Sequence, residues 1–153
     1  MTEAKLAPNL PKWMVDHTNL YLSSGGKEGH MYTINQPDRP SLSVPSLLLT
    51  TTGRKSGQKY LFPLFYGKAG NSYYIVASKG GAPTNPDWFY NLIANPIVTV
   101  ERGTETFQAR AVVPEAAERD RLFDQVSAQM PGFAEYQRNT TRKIPVVVLE
   151  KLA

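Results

Sequence analysis

The 153-residue chain predicts a mainly β domain with inserted helices, folded as an antiparallel barrel. Three observations predict it. Six segments carry the short apolar, β-branched or aromatic signature of strands, with turn residues between them at short spacing. No regular alternation of strands with long helices is present, which argues against a doubly wound parallel sheet. A hydrophobic content of 41% with 20% charged residues is ordinary for one globular domain with a real core.

In order, residues 1 to 9 read as a tail. A short helix follows from Asn9 or Leu10, because Trp13, Met14, His17, Leu20 and Tyr21 share one face at helical spacing. It stops at Ser23-Ser24-Gly25-Gly26. Its apolar face suits packing on the domain, or a lid, or peripheral membrane contact through residues 10–24. On that face His17 reads as a packed side chain. Residues 25 to 45, with Pro37, Pro40 and Pro45, read as a loop able to close over a site. Ser46 to Thr52 is the first strand. A turn at Gly53 to Gly57 leads into a second, Gln58 to Gly67, where Pro63 marks an edge or a bulge.

The third strand is Ser72 to Ser78, entered through a turn at Lys68 to Asn71. A helix is predicted from Pro86 to Ala94, capped by Asn85 and ended by Asn95-Pro96. Ile97 to Arg102 and Thr104 to Val113 form a hairpin about Gly103. After Pro114 a helix places Leu122, Phe123, Val126 and Met130 on one face, and Pro131-Gly132 breaks it. A shorter helix carries Phe133 and Tyr136, and the chain closes on a strand, Ile144 to Leu149.

Composition removes several function classes. Without cysteine there is no disulfide, thiolate metal site or cysteine nucleophile. Two histidines, His17 and His30, and no HExxH motif argue against a catalytic metal. No apolar run reaches the length of a membrane span, and the N-terminus lacks a secretory pattern, so a cytoplasmic protein is expected. The net charge of +4 is uneven. No acid occurs between Arg39 and Pro86, whereas Arg39, Arg54, Lys55, Lys59, Lys68 and Lys79 do. A local basic patch beside apolar, aromatic strands suits a flat ligand with an anionic tail. Within Gly53 to Gly57, Arg54 offers a planar fork, Lys55 a mobile charge and Ser56 a hydroxyl donor. The bland alternative is a solvated hairpin turn.

Leu-Leu-Leu-Thr-Thr-Thr-Gly-Arg-Lys-Ser-Gly-Gln (47 to 58), Ala-Ser-Lys-Gly-Gly (77 to 81) and Asn-Pro-Asp-Trp-Phe-Tyr-Asn-Leu-Ile-Ala-Asn-Pro (85 to 96) occur in that order. With Thr-Arg-Lys-Ile-Pro-Val-Val-Val (141 to 148), this arrangement resembles the deazaflavin-dependent nitroreductase family of actinobacteria. The resemblance runs from about Val44 to the end. It implies a split β-barrel of the flavin-reductase or FMN-binding type. Residues 1–30 would be an N-terminal tail and short helix, and 31–153 the deazaflavin-binding domain. The implied cofactor is reduced coenzyme F-420. By position, Arg54, Lys55 and Ser56 would hold its anionic tail, and Tyr60, Leu61, Phe62, Pro63, Leu64 and Phe65 would line it. Val76, Ala77, Ser78 and Lys79 would border the ring, Asp87, Trp88 and Asn91 would meet the phosphate, and Phe133 would close the pocket. Met130 and Phe133 stand where a nitroimidazole-activating member has tyrosines, which argues against prodrug activation.

The expected reaction passes a hydride from F-420H2 to a planar small-molecule acceptor: a quinone, an activated enone or a nitroaromatic. The cofactor carries the hard step, so the protein supplies binding, orientation and stabilisation of the developing oxyanion. Tyr136 and Ser78 are the candidate catalytic residues. Two alternatives are an FMN-binding split-barrel oxidoreductase and a basic barrel binding single-stranded nucleic acid through Tyr73, Tyr74 and Phe62. Nucleic acid is not the expected partner, because these aromatics suit a barrel core.

Overall fold

In the computed structural model the described residues are 4–35 and 40–152. The strands are β1 (Lys5–Leu6), β2 (Met31–Ile34), β3 (Leu42–Thr52), β4 (Lys59–Phe65), β5 (Gly67–Ala69), β6 (Ser72–Val76), β7 (Ile97–Arg102), β8 (Glu105–Val112) and β9 (Val146–Lys151). The helices are α1 (Lys12–Ser23), α2 (Asp87–Ala94), α3 (Ala116–Gln129) and α4 (Gly132–Arg138). Hydrogen bonding orders the sheet β1-β4-β3-β7-β8-β9-β6-β5, with β2 joined to β3 off this path. The path does not return on itself, so the barrel is open, as a split barrel is.

Period-2 alternation explains why the sheet carries two cores. On β6, Tyr73 and Ile75 face the barrel interior with Leu47, Leu49, Val98, Val100, Val147 and Leu149. Tyr74 and Val76 face the other way, onto Leu122, Phe123, Val126 and Met130 of the α3 segment and Phe133 of α4. Trp88, Phe89 and Leu92 drive one side of α2 into the barrel core. Each such side chain contributes about 1.5–3 kcal/mol by leaving water. Tyr73 and Tyr74 are buried, at 8% and 0% exposure, and offer no platform for stacking bases.

Several expectations change. The tail is partly a strand: β1 pairs in parallel with β4 through Lys5↔Tyr60 and Leu6↔Leu61. The region read as a loop contains β2, which pairs with the early part of β3, Met31↔Pro45 to Ile34↔Leu42, so β3 begins four residues before Ser46. Pro37 and Arg39 lie outside the described residues. Around Pro63 the register runs without interruption from Ser46↔Phe65 to Thr52↔Lys59, so there is no bulge. Proline is tolerated there because β1 covers only Tyr60 and Leu61, leaving Pro63 on an edge. Lys68 belongs to β5 and not to the turn.

Helix α1 buries His17, Thr18 and Tyr21, whereas Leu20 is exposed. Tyr21 pins the helix to the barrel. Its hydroxyl donates toward the carbonyls of Ser46 (3.1 Å) and Glu101 (3.2 Å) and accepts from the Gly103 amide (2.5 Å). Asn85 does not cap α2; Pro86 occupies that position, and Asn85 is engaged elsewhere.

Candidate functional site

A cleft of about 830 Å³ opens along β3 and β4. Ser46 and Phe65 mark one end, and Thr51, Gly53 and Tyr60 the other. Seven residue steps of extended chain make this wall roughly 20 Å long. The turn after β3 brings Arg54, Lys55 and Ser56 to one end, where Asp87 and Asn91 of α2 join them, and Lys79, Pro86 and Trp88 also line the cleft. Phe62, Pro63, Leu64, Phe65, Val76, Ser78, Phe133 and Tyr136 line the rest.

The structure thus gathers most residues singled out above, from four separate chain segments. Two are not on the wall. Leu61 is not among the lining residues and packs with Leu48 and Tyr21 beneath α1. Ala77 is fully buried in the barrel core. A smaller cleft of about 340 Å³, near Thr50, Lys59, Asn95 and Gln108, holds none of the predicted site residues.

At the cationic end, Arg54 is already bonded within the protein. Its Nη1 donates to Asn91 Oδ1 (2.7 Å) and toward the Asp87 carbonyl (3.4 Å), its backbone amide donates to Asn91 Oδ1 (3.2 Å), and Nη2 lies 3.5 Å from Asp87 Oδ1. The fork therefore fastens the Gly53–Gly57 turn to the start of α2. Lys55 is exposed beside it. Ser56 Oγ accepts from the Gln58 amide at 3.1 Å, which shapes the turn.

Lys79 is held in the left-handed region at φ 48. That costs a residue with a Cβ about 1–2 kcal/mol, which glycine would avoid. Strain of this kind is tolerated where a side chain is used, and here it sits on the cleft wall. Gly81, at φ +84, closes the same turn; a Cβ there would stand 2.7 Å from the Tyr136 carbonyl of α4. The two walls touch at this glycine.

Sequence reasoning did not single out Arg142, which organises the whole Ala77–Asn85 loop. Its Nε donates to the Ala82 carbonyl (2.8 Å), Nη1 to the Ala77 carbonyl (3.2 Å) and Asn85 Oδ1 (2.6 Å), and Nη2 to the Ser78 carbonyl (2.7 Å). The strand end and the 3-10 turn that carry Ser78 and Lys79 are set by one guanidinium from the far end of the chain.

Ala7 to Pro11, Trp13, Met14, His17 and Ser46 also line the cleft, so the N-terminal segment forms one of its walls. For His17, the available signal was its place with Trp13 and Met14 on the helix's apolar face. Burial lowers the pKa of His17; burial and then the Arg102 charge lower that of His30. The unfolded chain binds these protons below about pH 6.5, whereas the folded chain resists them. Stability is therefore full above that pH and falls as pH drops through the two folded values. Thermal unfolding between pH 5 and 8 should show the decline, and His17→Phe should flatten it.

An open barrel with a cleft that is cationic at one end and apolar along its length fits the split-barrel class of cofactor-dependent oxidoreductases. Comparison agrees. The family model described as F420H(2)-dependent quinone reductase matches residues 13–151. A protein of Mycobacterium tuberculosis (strain H37Rv) named F420H(2)-dependent quinone reductase is 40% identical over 138 residues, covering 88% of this chain and 87% of the relative. A solved F420-H2 dependent reductase, FDR-A, is 41% identical with a TM-score of 0.64, covering 69% of this chain and 94% of that one. A second solved relative, described as a domain-swapped dimer, is 37% identical with a TM-score of 0.66 and covers 90% and 97%. HutZ, the heme storage protein of Vibrio cholerae, shares the fold at 16% identity and TM-score 0.55, with 71% and 82% covered. The chain belongs to the F420H(2)-dependent quinone reductase family.

Proposed function

We infer that the protein reduces a quinone with a hydride from reduced coenzyme F-420. Family membership supports the reaction, and one observation carries the assignment of the site. The cleft joins a cluster of cations to an apolar trough long enough for an extended cofactor. The donor set fits the group: Lys55, Ser56 and Lys79 would meet the anionic tail, and Phe62 to Phe65, Val76 and Ser78 would bed the ring. For Arg54 to bind the tail it must leave Asn91 and Asp87, so its role is to hold the turn that presents Lys55 and Ser56. When bound, the cofactor supplies the hydride. The chain orients the acceptor over it, excludes water with Phe133 and the α1 wall, and places Tyr136 at the open side.

In this reading residues 31–153 carry the cofactor and residues 1–30 supply an outer wall. The exposed Trp13, Leu20 and Leu22 of α1, with Met31, suit brief contact with a membrane that holds an apolar quinone. No helix among the described residues is long and apolar enough to cross one. We place the protein in the cytoplasm on this reading, visiting the membrane surface.

Titration of the purified protein with F-420, FMN and FAD tests the proposal. F-420 is expected to bind at micromolar concentration or tighter, with FMN much weaker, read by quenching of deazaflavin fluorescence. Lys55→Ala should lose about 1.5–3 kcal/mol of F-420 affinity if its ammonium meets the tail. FMN binding equal to or tighter than F-420 would move the protein to the flavin-binding class.

A further inference from the structure

His17 and Ser46 form a hydrogen-bonded pair on the cleft wall, at the end away from the cations. His17 Nε2 lies 3.0 Å from Ser46 Oγ. The orientation of that bond follows from the surroundings of the serine. Its single hydroxyl proton has two carbonyls in reach, Gly29 at 2.8 Å and His30 at 3.1 Å. The hydroxyl donates to one of these carbonyls, Gly29 being the nearer, while the His30 carbonyl also accepts from the Ser46 amide at 2.6 Å. Ser46 Oγ then has only lone pairs to offer, and Nε2 must carry the proton. The neutral imidazole is left with Nδ1 unprotonated, and Nδ1 has no hydrogen-bond partner among the described residues.

The setting is apolar and fixed. Tyr32 of β2 meets the ring edge-on at 5.0 Å, and Tyr21 of α1 stands 6.1 Å away. Neighbouring Asp16 is on the exposed face, paired with Lys12 at 2.8 Å. Ser46 is the β3 group against the ring, and Arg54, Lys55 and Asp87 lie toward the other end of β3, with Lys79 elsewhere on the cleft lining. Burial, not a neighbouring charge, lowers the histidine's pKa, so its cation is a better acid than free imidazolium. Among the described residues His17 is the one imidazole on this wall, and imidazole is the side chain that exchanges protons near neutral pH.

We propose that His17 Nδ1 supplies the proton that completes quinone reduction, with Ser46 as the positioning residue that fixes its tautomer. The proposal rests on the cleft being the cofactor and acceptor site. The step balances. A hydride forms a new bond at one end of the quinone, and the carbonyl π electrons at the other end move onto oxygen. Nδ1 first takes a proton from solvent, forming the imidazolium, and that oxygen then takes the proton from His17 Nδ1, giving the two-electron, two-proton hydroquinone. The imidazolium becomes neutral imidazole, keeps Nε2–H on Ser46, and regains its proton from solvent.

The test uses the whole protein, with menadione as probe. In 15N-labelled protein without ligand, the imidazole correlations of His17 are expected to show the Nε2–H tautomer, and menadione should shift the Nδ1 resonance. His17→Phe keeps the ring packing but removes both nitrogens. It is expected to lower kcat about 10–100-fold and erase the ionisation from kcat between pH 5 and 8, with F-420 Kd unchanged. Ser46→Ala keeps the imidazole, should fall between the two, and decides the matter if His17→Phe fails to fold. An Nδ1–H tautomer, or variant pH profiles that superimpose on wild type, overturns the proposal alone. Wild-type protein that fails to bind F-420 overturns the reading of the cleft and this proposal with it.

Discussion

Arg142→Met is expected to lower the stability of the fold by about 2–4 kcal/mol and to weaken F-420 binding with it. The methionine keeps much of the aliphatic stem, so the loss isolates the guanidinium. Four acceptors depend on that group: the carbonyls of Ala77, Ser78 and Ala82, and Asn85 Oδ1. A buried acceptor stripped of its donor costs about 1–3 kcal/mol, and partial access of water to this loop reduces the sum. Burial already presses against the charge, lowering the pKa of Arg142, so the bonds outweigh a real desolvation cost. Urea unfolding and F-420 titration measure the two effects. An unchanged midpoint would mean the loop holds itself.

Tyr136→Phe is expected to lower kcat roughly 10²–10³-fold while leaving F-420 affinity alone, since a donor to a developing oxyanion acts only in the transition state. The hydroxyl belongs to α4, on the cleft wall, with Phe133 at 6.1 Å beside it. The side chain is 37% exposed, so water tempers the loss toward the lower figure. Ser78 is the weaker candidate of the two. Its carbonyl is bound by Arg142, and its position is fixed with the turn that Arg142 builds. Steady-state reduction of menadione and of a cyclohexenone by F-420H2 gives the answer. Equal rates for wild type and variant would assign the stabilisation to His17, Ser78 or water.

Strands β3, β4 and β6 to β9 were legible because each is a run of β-branched or aromatic residues with turn formers at its ends. The cationic end of the cleft was legible because its residues lie in short contiguous motifs. What stayed hidden has no local signature. Lys5–Leu6 is two residues long, and only pairing to Tyr60 and Leu61 makes it a strand. Met31–Ile34 is short and sits among glycines and prolines, so its pairing with β3 outweighed its composition. Arg142 bonds across 57 to 65 positions, a separation that no periodicity encodes. Leu61 was placed on the cleft because its neighbours were, yet α1 covers it and Tyr21 packs on it. His17 stood on an apolar helical face, where a packed histidine is the ordinary expectation. Its neighbour across the cleft wall, Ser46, comes from a strand 29 residues later.

The wall formed by Ala7 to Pro11, Trp13, Met14 and His17 belongs to the first elements of the chain, while Arg54, Lys55, Lys79 and the barrel core come from later ones. Natural variation can therefore act on the two ligands separately. On the proposed assignment of the cleft, substitutions at Leu10, Trp13 or Met14 would alter the shape offered to the acceptor without disturbing the turn at Gly53–Gly57 or the packing of β6 and β9. On that assignment, the shape of the acceptor side depends on a segment that α1 holds to the barrel through the buried Tyr21, Thr18 and His17.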